Sequence, residues 1–416
     1  MRYLSRIVDT ELVERLAATG AVVIEGPKTC GKTATARTVA ASEVLLDVDE
    51  NARRMVAVDP SSVLRGETPR LIDEWQTEPA IWNHVRRAVD DRGSPGQFIL
   101  TGSAVPADDI TRHTGAGRLT RLRMRPMSLF EAEHSSGEIS LRQLLRGDLQ
   151  RSGRSRLTVG ELAEMVCAGG WPGHLGRPLP QRLRMNRDYL NEIRRVDLSR
   201  VSGARRDPVK VGRLLRSLAR NVATPAAIST LVKDVRGGGT AMKTDTAAEY
   251  LEALERLMIV ENLPAWQPHL RSRTTLRTTP VRHFADPSLA VAALRATPKR
   301  LMDDLKFLGL LFESMVVRDL RVYAQAMEAE VFHYREKGGL EANVIVEAED
   351  GHWAAFEVKL GERWVDEGAA TLRRVANRMK RGGRGEPSAL AVIIPSGYGH
   401  VRAGEVGIIP VGALGP

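Results

Sequence analysis

The sequence predicts an α/β fold built on a parallel sheet, with smaller domains appended. Three observations predict it. A short apolar run, Ala21-Val22-Val23-Ile24, leads into Gly26-Pro27-Lys28-Thr29-Cys30-Gly31-Lys32-Thr33, which fits G-x-x-x-x-G-K-[ST] at every fixed position. A stretch rich in Ala and Thr, Thr33 to Ala41, follows without Gly or Pro and reads as a helix. Two later apolar runs end in polar residues: Leu71-Ile72 in Asp73-Glu74, and Phe98-Ile99-Leu100 in Thr101-Gly102-Ser103. Buried parallel strands read as continuous apolar runs of this kind.

Taken in order, Ile7 to Ala18 forms an amphipathic helix that leads into the first strand. Gly26 and Gly31 let the backbone bend so that successive N–H groups point inward, and the following helix adds partial positive charge at the same place. Such a loop cradles the phosphates of ATP. Lys32 reaches the β- and γ-phosphates, and the Thr33 hydroxyl holds Mg²⁺. Pro27, Lys28, Thr29, Cys30 and Thr35 complete the expected nucleotide contacts.

Val44 to Val48 is a second strand and Arg70 to Glu74 a third. An apolar strand ending in two acids is the Walker B arrangement: Asp73 binds the Mg²⁺ water shell, and Glu74 orients the attacking water. At the end of the next strand, Thr101 or Ser103 suits a γ-phosphate sensor; a capped strand end is the structural alternative. Gly115-Ala116-Gly117-Arg118 precedes a last strand, Leu119 to Met124. Arg118, on a glycine-flexed turn, is either an arginine finger for a neighbouring subunit or a solvated arginine.

The order phosphate loop, Ile72-Asp73-Glu74-x-Gln76, Ile99-Leu100-Thr101-Gly102-Ser103, Ala116-Gly117-Arg118 and Arg125-Pro126-Met127-Ser128-Leu129-Phe130-Glu131 resembles a group of prokaryotic AAA-plus-type ATPases. The resemblance implies an ASCE-type sheet, with an extra strand between the phosphate-loop and Walker B strands. It also implies an arginine at the place of Arg118. Trp75 stands where an aliphatic residue is more usual, which reads as packing.

Three domains are expected: an ATPase domain over 1–150, a helical and winged-helix region over 151–290, and a small α/β domain over 291–416. Arg151 to Arg156 is polar and basic and reads as a linker. Gly169-Gly170-Trp171-Pro172 resembles a turn of the same family. Helices over 209–221, 228–235 and 244–257, followed by strands at 259–263 and 281–284, describe a winged helix-turn-helix. Lys243 then faces a groove, and Arg271, Arg273, Arg277 and Arg282 suit phosphate contacts. Winged helices also serve as protein-contact modules, so both partners stand.

A helix carrying Glu313, a hairpin turning at Glu349-Asp350-Gly351 and a strand ending Glu357-Val358-Lys359 resemble the PD-(D/E)xK, or restriction-endonuclease-like, fold. In such nucleases a strand Asp and the Glu of Glu-x-Lys bind Mg²⁺, a helix Glu assists, and the Lys helps activate water. The matching positions are Glu313, Asn343, Glu357 and Lys359. Asn343 departs from the pattern, because an amide oxygen replaces the metal-binding carboxylate and hard Mg²⁺ prefers charge. Glu341 shares the strand face and is the alternative ligand. A degenerate, non-cutting fold is the expectation.

The 416 residues suit two or three domains, and Lys+Arg 61 against Asp+Glu 51 gives a net charge of +10, which suits a polyanionic partner. Of the two cysteines, Cys30 lies inside the phosphate loop, so a structural disulfide is not expected. No signal-like segment opens the chain, and no run approaches the ~20 apolar residues of a membrane span. The expectation is a cytoplasmic, membrane-free protein that uses ATP and Mg²⁺. It acts on DNA as a motor or remodeller; finger catalysis across subunits implies a ring or other homo-oligomer, with a hexamer favoured. A nucleotide-dependent switch or scaffold for protein partners is the alternative, and an active ATP-dependent nuclease a third.

Overall fold

The computed structural model describes residues 2–103, 114–149, 152–198, 207–236, 242–268, 279–402 and 405–416. The chain forms two compact units. The first comprises Met1–Pro126, Val196–Arg206 and Glu252–Ile259; the second comprises Met127–Arg195, Asp207–Leu251 and Val260–Pro416. This division differs from the breaks expected at 150 and 290.

The first unit holds a five-stranded parallel sheet. Its strands are β1 (Ala21–Glu25), β2 (Ser42–Leu45), β3 (Arg70–Asp73), β4 (Phe98–Gly102) and β5 (Leu119–Arg123), in the order β2-β3-β4-β1-β5. β4 therefore lies between the phosphate-loop strand β1 and the acid-tipped strand β3. The period of two sends neighbours on each strand to opposite faces. Val23, Ile72 and Leu100 pack on one face with Trp75 and Trp82, whose rings lie 5.1 Å apart. Val22, Leu71 and Ile99 pack on the other with Leu12 and Leu16 of the helix Val8–Ala18. Each such fully buried aliphatic side chain contributes about 1.5–3 kcal/mol, so both faces must be apolar.

The helix after the phosphate loop is shorter than expected, Lys32–Ala36 rather than 33–41. Beyond it the backbone tightens: Thr38 donates its N–H (3.1 Å) and its hydroxyl (2.7 Å) to the Thr35 carbonyl. The second strand is also shifted, ending at Leu45 before a turn.

The second unit is built on a six-stranded sheet. Its strands are β8 (Glu330–Arg335), β9 (Glu341–Glu347), β10 (Trp353–Val358), β11 (Ala389–Ile394), β13 (His400–Arg402) and β14 (Val406–Pro410). The order is β13-β14-β11-β10-β9-β8; β10, β11 and β14 run parallel, and the outer pairs are antiparallel. The helix Leu305–Gln325 precedes β8, and Val365–Arg381 crosses over from β10 to β11. The crossover helix buries Val365, Leu372 and Val375 against Ile345, Ala355 and Val392. Two small pairings complete the unit: β6 (Ile139–Ser140) with β15 (Leu414–Gly415), and β7 (Arg154–Ser155) with β12 (Gly397–Tyr398). The segment expected as a linker thus contains a strand. Its backbone pairs with residues more than 240 positions away, a partner that local composition cannot reveal.

The Gly169-Gly170 turn is fixed by close approach. A Cβ at Gly170 would stand 2.0 Å from the Met127 carbonyl oxygen, and Gly169 has φ +76°. The Gly170 N–H donates to Asp286 (2.9 Å), whose carboxylate meets Arg318 at 2.7 Å. Arg318 also meets Asp319 at 2.7 Å, and Asp319 accepts the Leu129 N–H at 3.1 Å. All three charges are buried. This triad ties four distant stretches of the second unit together.

Candidate functional site

The carboxyl ends of β1, β3 and β4 bring the expected nucleotide residues together. Gly31 takes φ +107° at the loop's exit, and Thr29 takes φ +63°, so the loop turns in the left-handed region at two points. A Cβ at Gly26 would fall 2.3 Å from the Met124 carbonyl oxygen, which explains why that position must be glycine. Lys32 is buried; its ammonium donates to the Gly26 and Pro27 carbonyls at 2.9 and 3.0 Å. The loop's own backbone thus holds the ammonium over the cradle. Cys30 is buried beneath the loop, and the Thr35 hydroxyl bonds to Tyr3 at 2.9 Å.

The Thr33 hydroxyl donates to the Asp73 carboxylate at 2.9 Å, and the buried Thr101 hydroxyl donates to the same oxygen. A hydroxyl and a carboxylate side by side at the mouth of a phosphate loop are hard oxygen donors, the set that Mg²⁺ takes. Thr33 and Asp73 would hold the ion, which would supply neutralisation of phosphate charge.

Glu74 follows with φ +52°. For a residue with a Cβ this conformation costs about 1–2 kcal/mol, and it turns the side chain away from the strand's ordinary alternation. Its carboxylate accepts from Ser103 at 3.2 Å and from the Gln76 amide. Of the two candidates at the end of β4, Thr101 therefore serves Asp73 and Ser103, just past it, serves Glu74. Gln76 had no assigned role from sequence; its place two residues beyond Glu74 was the one local signal.

Arg118 lies on the turn before β5. Its guanidinium meets Asp90, on the helix Ile81–Arg92, at 2.5 Å and remains partly exposed. Lys28 carries a second unforeseen contact, an ion pair of 2.6 Å with the nearly buried Asp197. Nothing local marks Asp197, which stands 169 residues on at the end of a π-helical turn, Ile193–Asp197.

The second unit gathers Glu313, Asn343, Glu357 and Lys359. Glu313 comes from the helix Leu305–Gln325, Asn343 from β9 and Glu357 from β10. The Val358 N–H donates to Asn343 Oδ1 at 2.9 Å, so the amide Nδ2 faces Glu313 and donates to it at 3.0 Å. Glu357 accepts the Asn343 N–H at 3.2 Å and pairs with Lys359 at 3.1 Å. Burial, reinforced by Glu357 and Glu341, pushes the Glu313 carboxyl up to about 8. Burial also raises Glu357, against the pull of Lys359. These groups do not fit a divalent cation. The amide presents hydrogens toward Glu313, and its oxygen is committed to the backbone. Glu341 instead pairs with Arg335 at 3.3 Å. Among the described residues no group of three or more His, Cys, Asp or Glu side chains is placed to hold a metal.

Lys243 is exposed just before the helix Thr244–Arg256. Arg271, Arg273 and Arg277 lie outside the described residues; Arg282, expected to face phosphate, is instead buried, and its Nε donates to the Ala226 carbonyl at 3.2 Å. Both cysteines are free and buried, and burial pushes the Cys167 thiol up to about 12. No helix of the described residues is long and apolar enough to cross a membrane.

Fold and site together define residues 18–133 as a P-loop ATPase domain; they match the family model described as AAA domain. Residues 159–300 and 308–414 match two families described as domains of unknown function, DUF8612 and DUF4143. Two curated relatives, the uncharacterized proteins Rv2008c of Mycobacterium tuberculosis and Mb2031c of Mycobacterium bovis, are each 24% identical over 343 residues. The alignment covers 81% of this chain and 70% of each relative. Among solved structures, the Walker-type ATPase PABY2304 of Pyrococcus abyssi matches with a TM-score of 0.39 and 13% identity. The match covers 69% of this chain and 94% of that one.

Proposed function

We propose that the protein hydrolyses ATP and couples hydrolysis to work on DNA, as a homo-oligomer. The observation that carries the hydrolytic part is the pair of carboxylates at the end of β3 with separate partners. Asp73 is held by Thr33 and Thr101, and Glu74 by Ser103 and Gln76. One carboxylate is thereby committed to the ion-binding corner. The other is bonded through Oε2, which leaves Oε1 as the acceptor for the water that attacks the γ-phosphate. The loop N–H groups and Lys32 bind and orient the phosphates. Ser103 and Gln76 fix the Glu74 rotamer, so that no reorganisation is needed when the water loses its proton.

The DNA part rests on chemistry outside the five-stranded sheet. The helices Pro208–Arg220, Ile228–Arg236 and Thr244–Arg256 precede antiparallel bridges Val260 to Phe284 and Leu263 to Val281. That order supports a winged-helix reading, with Lys243 at the head of the third helix. The helix Leu305–Gln325 laid against a mixed sheet supports a restriction-endonuclease-like reading for residues 291–416. The amide at Asn343 makes it a binding module that does not cut. The net charge of +10 agrees with a polyanionic partner.

Arg118 acts in trans in this proposal, released from Asp90 when a neighbouring subunit presents its site. The same Arg118–Asp90 ion pair favours a second reading, a slow nucleotide switch that assembles with protein partners. The test is the ATPase rate with single-stranded, duplex and branched DNA, at two salt concentrations. Stimulation that weakens with salt supports the DNA-coupled motor; a slow rate indifferent to every DNA supports the switch.

A further inference from the structure

The largest exposed aromatics of the second unit, among the described residues, stand at one end of its sheet. Trp364 is 46% exposed immediately before the crossover helix Val365–Arg381, and Tyr398 is 61% exposed in β12. Each ring carries an arginine on one face. Arg363 lies 5.0 Å from the Trp364 centroid, and Arg154, paired across from Tyr398 in β7, lies 4.7 Å from the Tyr398 centroid. The two platforms are neighbours. A Cβ at Gly397 would stand 3.7 Å from the Glu362 carboxylate, and Arg402 pairs with Asp366.

From here the crossover helix runs back along the sheet toward its other end, with a change of charge. Its acids, Asp366 and Glu367, sit in the first turn, whereas residues 371–381 contain five Arg or Lys and no acid. Arg374, Arg378 and Arg381 are exposed at i, i+4 and i+7, on one face, spanning about 10 Å at 1.5 Å per residue. Arg378 also holds Glu336 at 2.8 Å.

We infer that Trp364, Tyr398 and the basic face of the crossover helix form a binding surface for single-stranded nucleic acid. Bases stack on the open faces of the two rings, and phosphates lie along the helix arginines. The inference rests on the DNA part of the proposed function and says where on the chain a strand is held. The chemistry selects this occupant. Every base offers a π-face to an aromatic platform, and a basic track beside it follows the backbone. An acidic protein would use the arginines and leave two exposed rings unexplained. A membrane would call for an aliphatic cluster, and among the described residues Val401 is the one exposed large aliphatic side chain at this end.

The experiment uses the full chain and a 20-nucleotide oligo-dT labelled for anisotropy. Intrinsic fluorescence supplies a second readout. Five of the six tryptophans, Trp75, Trp82, Trp171, Trp266 and Trp353, are at most 3% exposed, so quenching by added oligonucleotide reports Trp364. Trp364→Ala and Tyr398→Ala should each weaken binding roughly 5- to 150-fold, with the salt slope unchanged. Trp364→Phe should restore affinity and lose the quenching signal. Arg374→Gln with Arg381→Gln should lower the salt slope by about 0.7 for each phosphate that is no longer neutralised. ATPase activity without DNA should stay at the wild-type rate in all of them. If wild type binds the oligonucleotide and the aromatic variants bind equally well, this surface is overturned while the DNA reading stands. If wild type binds no nucleic acid, both fall. Quenching by vesicles of anionic phospholipid but not by oligonucleotide overturns the choice of occupant.

Discussion

Asn343→Asp tests the charge logic of the second unit directly. Oδ1 of the residue keeps its bond from the Val358 N–H, 2.9 Å away, but the group facing Glu313 changes from a donor at 3.0 Å to an acceptor. Two ionised carboxylates 3 Å apart repel by about 5 kcal/mol at an effective dielectric of 20. That is a ceiling, because a proton can bridge the two oxygens. In the wild type burial already pushes the Glu313 carboxyl up to about 8. The variant should therefore lose little stability at pH 6, where the pair keeps its proton, and lose more as pH rises through 8. The sign follows from linkage: a carboxyl raised above its unfolded value of 4.5 contributes stability at low pH and loses it as pH climbs. Three carboxylates would now converge, with Glu357 as the third. Mg²⁺ at ten times its dissociation constant adds about 1.4 kcal/mol, or roughly 3–6 °C in melting temperature for a unit of this size. Thermal unfolding at pH 6 and 9, in nucleotide-free buffer with and without MgCl₂, measures this. Wild type should show no metal shift and leave labelled DNA intact with Mg²⁺ or Mn²⁺. A Mg²⁺ shift in wild type that Glu313→Gln removes, or a variant indifferent to both pH and metal, would refute the reasoning.

Three further outcomes are expected. Glu74→Gln should retain ATP and slow hydrolysis by roughly 10²- to 10⁴-fold, whereas Lys32→Ala should abolish hydrolysis; radiolabelled nucleotide retention and phosphate release separate the two. Arg118→Ala should cost on the order of 10³-fold or more in turnover, and mixing it with Lys32→Ala protein should restore part of the activity, read as phosphate release against mixing ratio. His333 is buried and pushed down to about 4 from 6.5, chiefly by burial and then by Arg335, so the unfolded chain binds its proton first. Stability should fall as pH drops from 6.5 toward 4, by at most about 3 kcal/mol from this group. His333→Gln should flatten that part of a urea-midpoint profile.

The phosphate loop was legible because its geometry is local. Gly26 and Gly31 must be glycine for the turn, and the flanking strand and helix touch the loop in sequence. Asp73 and Glu74 were legible for the same reason: a buried strand ends where its acids begin. What stayed hidden depends on residues far apart in the chain. Ser103 and Gln76 divide from Thr101 only once Glu74 adopts φ +52°, which no composition announces. Lys28 finds Asp197 across 169 residues. Arg154 and Ser155 look like linker because their polarity is that of an edge, and their strand character comes entirely from Gly397 and Tyr398. The carboxylate cluster was placed by pattern at Glu313, Asn343, Glu357 and Lys359. That Asn343 turns its amide hydrogens, rather than its oxygen, toward Glu313 follows only from the Val358 N–H.

The pairing of β6 with β15 has a consequence for how the protein is made. Ile139 and Ser140 are joined in register to Leu414 and Gly415, and the Ser135 hydroxyl reaches the Leu414 carbonyl at 2.7 Å. The five-stranded sheet, by contrast, is closed by residue 123. On the ribosome the strands of the five-stranded sheet are all available by residue 123, whereas residues 139–140 and 154–155 wait for residues 414–415 and 397–398 before their own partners exist. During that interval a nucleotide bound at the phosphate loop would stabilise a sheet whose downstream neighbours have yet to appear.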